Sequence, residues 1–229
     1  MILINKINNI SIITLDSPKG NMLSYSDLSD LDYLLDSGGV LDGDGILLTG
    51  NNISFCTGVY LGEDKSFYGS IFKLLDSIIC KLFSYNKPLL VAANGHSIGA
   101  GFLFLLCADF VYASKSFKIK YGLPEINLGL GLDELMLYVV KRSLPNFLYR
   151  DFIYSGKLVS NKILYDYKVI DKLINSELLI SQSVNIIKDI TENRLRSFVF
   201  MKKMDRKDDI IHLNSLLKRE CYMELLNLI

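Results

Sequence analysis

The chain has 229 residues, half of them hydrophobic, and its 25 Lys and Arg balance its 25 Asp and Glu to a formal net charge of zero. This length can bury one full core but is short for two α/β domains, so we predict a single domain. The neutral charge balance argues against nucleic-acid partners and against binding to an anionic membrane.

Cysteine and histidine are too few and too scattered to indicate a metal site or a disulfide framework. The sequence contains four cysteines and two histidines, namely Cys56, Cys80, Cys107, Cys221, His96 and His212. The first residues lack the basic region and cleavage site of a signal peptide, and Asp109 interrupts the most apolar stretch, 102–113, well before the length of a membrane span. We therefore expect a cytoplasmic protein with no membrane span and no bound metal.

Strand-like and helix-like patterns alternate in the first part of the chain. The strand patterns cover 2–5, 10–15, 45–49, 88–93 and 109–113, and amphipathic helices are predicted over 24–37 and 66–84. After about residue 131 the patterns predict helices over 131–142, 145–154, 160–166, 176–192, 194–206 and 210–228. The order predicts an α/β core over 1–190, followed by a helical segment over 191–229.

Two glycine-containing turns follow apolar strands. The first, Phe55-Cys56-Thr57-Gly58-Val59, can present a freed backbone N–H at the end of a strand, although ordinary strand-to-helix turns look the same. The second, 94–109, contains Gly95, Gly99, Ala100 and Gly101 where a helix begins. Helix-starting N–H groups lack intrahelical partners and suit a developing negative charge, but tight packing also requires small residues.

One carboxylate stands in an apolar setting. Glu125 is flanked by leucines and isoleucine, and such surroundings raise a carboxyl pKa toward the range useful for moving protons at carbon. A solvated surface glutamate after Pro124 is the alternative. Asp133 lies eight positions on, where capping of the next helix competes with a catalytic role.

Taken together, these segments resemble the crotonase (enoyl-CoA hydratase/isomerase) superfamily over most of the chain. The blocks that carry the resemblance are SPKGNMLS at 17–24, ILLTGNNISFCTGVYL at 46–61, KPLLVAANGHSIGAGFLFLLCADFVYAS at 87–114 and YGLPEINLGL at 121–130. The resemblance implies a crotonase-like ββα spiral core with a C-terminal helical extension that covers the acyl pocket and contributes to oligomerisation. It also implies an acyl-CoA substrate, so that coenzyme A enters as part of the substrate and no separate cofactor is expected.

The resemblance assigns roles to particular residues. The backbone N–H groups of Val59 and Ala100 would form an oxyanion hole for the thioester carbonyl, and Glu125 would move a proton between two carbons. Leu103 stands where hydratases of the family carry a second glutamate, so the sequence looks like the single-glutamate enoyl-CoA isomerases. Hydration is less favoured by this pattern.

Other residues near these turns carry weaker implications. Asp133 resembles the acid of dienoyl-CoA isomerases and the nucleophile of chlorobenzoyl-CoA dehalogenases, and we keep it as an auxiliary candidate. His96, Tyr60 and Leu61 are expected beside the substrate pocket together with Leu103. Decarboxylases of polyketide assembly use a histidine at the position of His96, but here we interpret it as structural.

Several alternatives remain at this point. The protein could be an enoyl-CoA hydratase or a non-catalytic family member. It could also be a decarboxylase or thioester hydrolase, with an acyl-carrier-protein thioester of polyketide assembly as a candidate substrate. The family's assembly predicts a homotrimer or hexamer. The basic residues Lys202, Lys203 and Arg206 could meet CoA phosphates or form a solvated face.

Overall fold

The computed structural model describes residues 1–36, 42–51, 54–62, 65–116 and 118–226. Within these ranges the strands are β1 (Ile2–Ile7), β2 (Ile10–Leu15), β3 (Gly45–Gly50), β4 (Ser54–Cys56), β5 (Leu89–Ala93), β6 (His96–Ile98), β7 (Phe110–Ser114), β8 (Lys120–Gly122), β9 (Val159–Ser160) and β10 (Lys172–Ile174). They form one sheet in the order β1-β2-β3-β5-β7-β10 and a smaller one in the order β4-β6-β8-β9. Pairing is parallel except between β1 and β2 and between β8 and β9.

Helices connect and cover the two sheets. They are the helical turn α1 (Pro18–Asn21) and the helices α2 (Tyr25–Asp36), α3 (Tyr68–Ser84), α4 (Ala100–Cys107), α5 (Glu134–Ser143), α6 (Asn146–Ser155), α7 (Asn161–Asp166), α8 (Leu179–Asn193), α9 (Leu195–Asp205), α10 (Lys207–Lys218) and α11 (Met223–Leu226). A 3₁₀ turn, Glu125–Leu128, precedes α5. No helix in the described ranges is long and apolar enough to cross a membrane.

The larger sheet is buried on both faces, which explains why its central strands are continuous apolar runs. On one face, Leu47 of β3 and Leu90 of β5 pack with Ile187 of α8. On the other, Leu48 and Val91 pack into the larger core that includes α3 and α4. Successive side chains of a strand point to opposite faces, so a parallel strand covered on both sides needs apolar residues at every position.

The structure confirms the α/β fold class. The strand patterns at 10–15, 45–49, 88–93 and 109–113 match β2, β3, β5 and β7 within one residue at each end. The prediction of a single helix over 210–228 was wrong. In the structure α10 ends at Lys218, Glu220 has a φ of +50°, and α11 starts after Glu220. A left-handed residue interrupts helical hydrogen bonding, although the apolar spacing continues. Residue 37, at the end of the predicted 24–37 helix, and residues 227–229 lie outside the described ranges.

The C-terminal helices are attached to the core by a buried ion-pair network. Asp109, which precedes β7, bonds to Lys202 Nζ at 2.7 Å and to Arg206 at 2.9 Å, and the three side chains are 7% to 13% exposed. Burial lowers the pKa of Lys202 to about 8, although the carboxylate of Asp109 opposes that shift. Lys202 and Arg206 therefore face inward, toward the core.

The division at residue 190 stays a prediction. Among the described residues, none after Met136 lines the apolar cavity beside Glu125. Helix α10 packs on α3 and α5, and these two helices supply part of the wall of that cavity. The homotrimer or hexamer likewise stays a prediction.

Replacing Asp109 with Asn is expected to reduce the free energy of unfolding by about 3 to 5 kcal/mol, because it leaves two buried cations without their counter-ion. Urea unfolding at pH 7 measures this change. The control is Asp205→Asn, whose carboxylate is two-thirds exposed and lies 3.5 Å from Arg142; a change within about 0.5 kcal/mol is expected there. Equal effects of the two substitutions would contradict the structural role of the Asp109 network.

Candidate active site

An apolar cavity of about 310 Å³ lies where the two glycine-containing turns meet. Its wall is formed by the turn after β4, the start of α4, the segment around Glu125, and the helices α3 and α5. The lining residues are Met22, Thr57, Gly58, Val59, Leu61, Phe72, Leu75, Ile98, Gly99, Ala100, Leu103, Pro124, Glu125, Leu128, Leu130, Gly131, Leu132 and Met136. Of these described residues, Glu125 is the single one with an ionisable side chain.

The first turn directs the N–H of Val59 away from the neighbouring chain. Leu23 N–H donates to Gly58 O at 2.9 Å, and Tyr60 N–H donates to Leu23 O at 2.8 Å. Consecutive N–H groups of an extended chain point to opposite sides, so the N–H of Val59 faces away from Leu23. Within the described ranges, no backbone acceptor takes this N–H.

The second turn leaves the N–H of Ala100 at the start of a helix. Ala100 is the first residue of α4, and the N–H groups of Phe102 and Leu103 donate to Gly99 O at 2.9 and 3.0 Å. The N–H of a first helical residue has no intrahelical acceptor and lies at the positive end of the helix dipole. It is therefore available to an anionic oxygen in the cavity.

The two turns approach each other closely because glycine occupies the contact positions. A Cβ on Gly99 would lie 3.5 Å from Gly58 Cα and 3.0 Å from Glu125 Oε1. A Cβ on Gly101 would lie 2.2 Å from Cys56 O, closer than any side chain permits. The site thus brings both turns and the carboxyl group of Glu125 together.

Glu125 is held in the 3₁₀ turn by its own backbone and by a neighbouring residue. Its C=O accepts from Leu130 N–H at 3.0 Å, and Asn127 Nδ2 donates to Gly156 O at 3.1 Å. Oε2 is buried and has no hydrogen-bond partner among the described groups. Burial raises the pKa of Glu125 to about 7, and a hydrogen bond from its own backbone N–H opposes part of that shift.

Asn21 supports the first turn in a way that sequence reasoning did not identify. Its buried Nδ2 lies within hydrogen-bonding distance of Leu15 O, Ser54 O and Phe55 O at 2.6 to 3.0 Å, and its Oδ1 accepts from Ser17 N–H at 2.7 Å. These contacts connect the end of β2 to β4. Asn21 belongs to the block at 17–24, which resembles the family, but the resemblance gave no structural reason for an asparagine at this position.

The structure places five of the eight predicted site residues on the cavity wall: Val59, Leu61, Ala100, Leu103 and Glu125. It does not place Tyr60, His96 or Asp133 there. Tyr60 is 43% exposed and lines a neighbouring cavity of about 470 Å³, where Lys19 Nζ lies 4.2 Å from its ring centre. His96 Nδ1 accepts from Lys120 N–H at 3.1 Å and so connects β6 to β8.

Asp133 takes the capping position that the sequence left as an alternative. It is the N-cap of α5, its Oδ1 accepts from Met136 N–H at 2.8 Å, and it is 3% exposed. Its carboxyl group is buried outside the set of cavity-lining residues, beside Asp76 of α3. Asp133 therefore does not line the cavity, and its auxiliary catalytic role stays a prediction.

Within the ranges described, no three His, Cys, Asp or Glu residues are grouped as a metal site.

Comparison with known proteins identifies the family. A family model described as enoyl-CoA hydratase/isomerase matches residues 5–223. The chain belongs to this family. The name of the family refers to reactions of enoyl-CoA thioesters. The N–H groups of Val59 and Ala100 and the carboxyl group of Glu125 therefore meet in a member of a family that acts on thioesters.

Curated relatives are distant and differ in their reactions. The chain is 24% identical over 180 residues to 2,3-dehydroadipyl-CoA hydratase of Escherichia coli, covering 76% of this chain and 68% of that enzyme. It is 23% identical over 128 residues to carnitinyl-CoA dehydratase of Salmonella arizonae, covering 56% of this chain and 48% of that enzyme. The match therefore spans about half the length of the latter relative.

Solved structures agree closely in fold. An enoyl-CoA isomerase of Mycobacterium tuberculosis superposes with a TM-score of 0.86 at 20% identity, covering 96% of both chains. A second structure of the same mycobacterial protein names it a probable enoyl-CoA hydratase. It superposes with a TM-score of 0.85 at 19% identity, covering 95% of this chain and 93% of that one. At these identities the likeness shows the fold, while the reaction has to be argued from the site.

Replacing Gly99 with Ala tests the crowding around Glu125. Gly99 has a φ of +58° and a ψ of −125°, outside the left-handed helical region, so alanine is expected to reduce the free energy of unfolding by about 2 to 3 kcal/mol. Gly129→Ala is the control, since Gly129 also has a positive φ of +70° but nothing lies within 4 Å of its added Cβ; a loss of about 1 to 2 kcal/mol is expected. Chemical unfolding of both variants measures the difference, and equal losses would show that neither the backbone conformation nor the close contacts of Gly99 require glycine there.

Proposed function

We propose that the chain is an enoyl-CoA isomerase that converts a β,γ-unsaturated acyl-CoA to its α,β isomer. The observation that supports this most directly is a carboxyl group that stands alone in an apolar cavity. Glu125 is the sole ionisable residue among the described residues of the wall, and its pKa of about 7 leaves it able to accept and donate a proton near neutral pH.

In the proposed reaction, the Glu125 carboxylate takes a proton from the α carbon of the substrate. The electron pair of that C–H bond spreads over the α, β and γ carbons and the thioester oxygen, which gives a dienolate. Glu125, now protonated, returns the proton to the γ carbon, and the double bond ends between the α and β carbons. One carboxyl group is sufficient for both transfers.

The amides of Val59 and Ala100 would stabilise the dienolate oxygen. Both residues line the cavity, and the turns that carry them meet at Gly58 and Gly99 beside Glu125. Donors fixed in advance at the position of a developing negative charge are worth about 3 to 4 kcal/mol each in related sites. Their position at the end of the apolar wall suits a thioester carbonyl attached to an apolar acyl chain.

The neighbouring cavity is a suitable location for the polar CoA portion of the substrate. Met22 lines both cavities, and the second one also contains Lys19, two serines and the acidic residues Asp27 and Asp30. The ammonium group of Lys19 would offer a positive charge to a phosphate. Binding of a carrier-protein thioester instead of acyl-CoA, cytoplasmic location and assembly as a homotrimer or hexamer remain predictions.

Hydration is the second candidate, because the curated relatives are named as a hydratase and a dehydratase. Addition of water would require groups that hold and activate the water molecule on the α,β face of the substrate. Leu103 is buried on the cavity wall and cannot provide a second carboxylate. We therefore favour isomerisation, and an activity assay that finds hydration of crotonyl-CoA without isomerisation of a 3-enoyl-CoA would overturn this choice.

Replacing Glu125 with Gln is expected to lower kcat for isomerisation of a 3-enoyl-CoA by at least about 100-fold, because glutamine cannot accept the proton. Binding of a saturated acyl-CoA, measured by calorimetry, should be nearly unchanged. The control is Glu177→Gln, which alters an exposed glutamate in the turn before α8. Undiminished turnover in the Glu125 variant would remove this residue from the mechanism.

The pH profile provides a separate test. Because the base must be deprotonated, kcat/KM should fall about tenfold per pH unit below the pKa of Glu125 and level off above it. With a pKa of about 7, the bend in the profile is expected near neutral pH. A bend near pH 4.5, the ordinary value of a solvated glutamate, would show that the carboxyl group is not buried in the working enzyme.

A further inference from the structure

Two carboxyl groups meet in the interior between α3 and α5. Asp76 of α3 is fully buried, and Asp133 at the start of α5 is 3% exposed. Both carboxyl oxygens of Asp76 are buried and have no hydrogen-bond donor among the described groups, α3 packs on α5, and a side-chain hydrogen bond with Asp133 contributes to the raised pKa of Asp76. Two ionised carboxylates only accept hydrogen bonds, so a bond between them requires a proton on one of them.

The pair lies directly behind one wall of the cavity. Phe72 and Leu75, which line the cavity from α3, are four residues and one residue before Asp76. Leu132 and Met136, which line it from the other side, flank Asp133, and Met136 donates the N–H that Asp133 caps. A hydrogen bond between the two acids would therefore connect the two helices that form this wall.

We propose that protonated Asp76 is a positioning residue, which donates a hydrogen bond to Asp133 and thereby fixes the start of α5 and the segment 125–132 that begins with Glu125. Asp133 stands at the end of this segment, and the fixed point at its other end is the 3₁₀ turn. Asp76 does not line the cavity, so any effect on catalysis must act through the position of Glu125. The catalytic part of this proposal rests on the proposed function.

The ionisable groups around the pair do not supply a buried cation. Cys80, Cys221 and Tyr222 interact electrostatically with Asp76, and burial raises the pKa of Cys80 to about 12 and also raises the pKa of Cys221 and Tyr222. Several other ionisable side chains on the elements packed against α3 have partners of their own. Asp32 and Asp36 of α2 pair with Lys81, Cys107 of α4 bonds to Ile79 O, His212 of α10 contacts the Tyr138 ring, Glu134 of α5 pairs with Arg219, and Glu220 pairs with Lys73.

The pair should make stability depend on pH. Burial, and then the charge of Asp133, raise the pKa of Asp76 from 3.8 to about 9. Because the pKa is higher in the fold than in the unfolded chain, the contribution of the protonated acid is complete below pH 3.8 and is lost as pH rises through 9. Between these values the native state holds about one proton more than the unfolded chain.

The test compares wild type with Asp76→Asn, which keeps an N–H donor but does not titrate, and Asp76→Leu, which lacks any donor. Unfolding free energy is measured from pH 5 to 10 for each protein. The unfolding free energy of the wild type should fall more steeply with pH than that of Asp76→Asn. The difference in slope should correspond to about one bound proton. Glu125 titrates in both proteins, so the difference isolates Asp76. Identical pH dependence in the two proteins would contradict the proposal that Asp76 is protonated and donates a hydrogen bond to Asp133.

The positioning role has two further readouts. For isomerisation, Asp76→Leu should lower kcat by roughly 10- to 100-fold with KM little changed, since misplacing a catalytic group by about 1 Å has effects of this size. Asp76→Asn should recover most of that loss, and it should lack the decline of kcat that we expect for the wild type as pH rises through about 9. Wild-type kcat in the Leu variant would overturn the role.

Nuclear magnetic resonance titration of the Glu125 carboxyl carbon separates this proposal from the proposed function. A changed Glu125 pKa in Asp76→Leu, but not in Asp76→Asn, supports positioning even if no enoyl-CoA is isomerised. An unchanged Glu125 pKa in both variants contradicts positioning even if the wild type is an active isomerase.

Discussion

The site depends on a backbone contact between β4 and the start of α4. A Cβ on Gly101 would fall 2.2 Å from Cys56 O, so only glycine allows the helix to begin this close to the strand. The contact brings the turn at Gly58 against the turn at Gly99, and the carboxyl group of Glu125 lies beside Gly99. Two amide donors and one acid share a small volume because three glycines remove the atoms that would separate them.

Buried hydrogen bonds hold that contact in place. Asn21 contributes one side-chain amide group to the carbonyls of β2 and β4 and accepts the N–H of Ser17. Each of these backbone groups lies inside the core, where an unsatisfied polar group costs about 1 to 3 kcal/mol. The asparagine therefore supports both the strand ends and the turn that carries Val59, and it does so without touching the cavity.

Sequence patterns predicted the parts of the fold that repeat and missed those that do not. The central strands and most helices were readable because burial imposes a period on their side chains, as in Leu47 and Leu48 on opposite faces of β3. Strands such as β4, β6 and β8 have three residues each, too few for a period to appear.

The sequence indicated which residues surround the cavity where the signal was local, and it missed the positions that depend on tertiary contacts. The glycine turns and the apolar surroundings of Glu125 are local features, and the cavity contains Val59, Ala100 and Glu125 as the sequence suggested. The direction of a side chain depends on its tertiary neighbours. The outward position of Tyr60, the bond of His96 to β8 and the contact of Asp133 with Asp76 are all of this kind.

The two acids with raised pKa values differ in access, and access decides what each can do. Burial raises the pKa of both Glu125 and Asp76, but only Glu125 belongs to the cavity wall. A general base must reach the proton that it removes, either directly or through one water molecule. Asp76 has no exposed surface and lies beside Asp133, which caps α5, so Asp76 cannot exchange a proton with a molecule in the cavity. A raised carboxyl pKa thus indicates a catalytic candidate only where a cavity gives substrate access to the group.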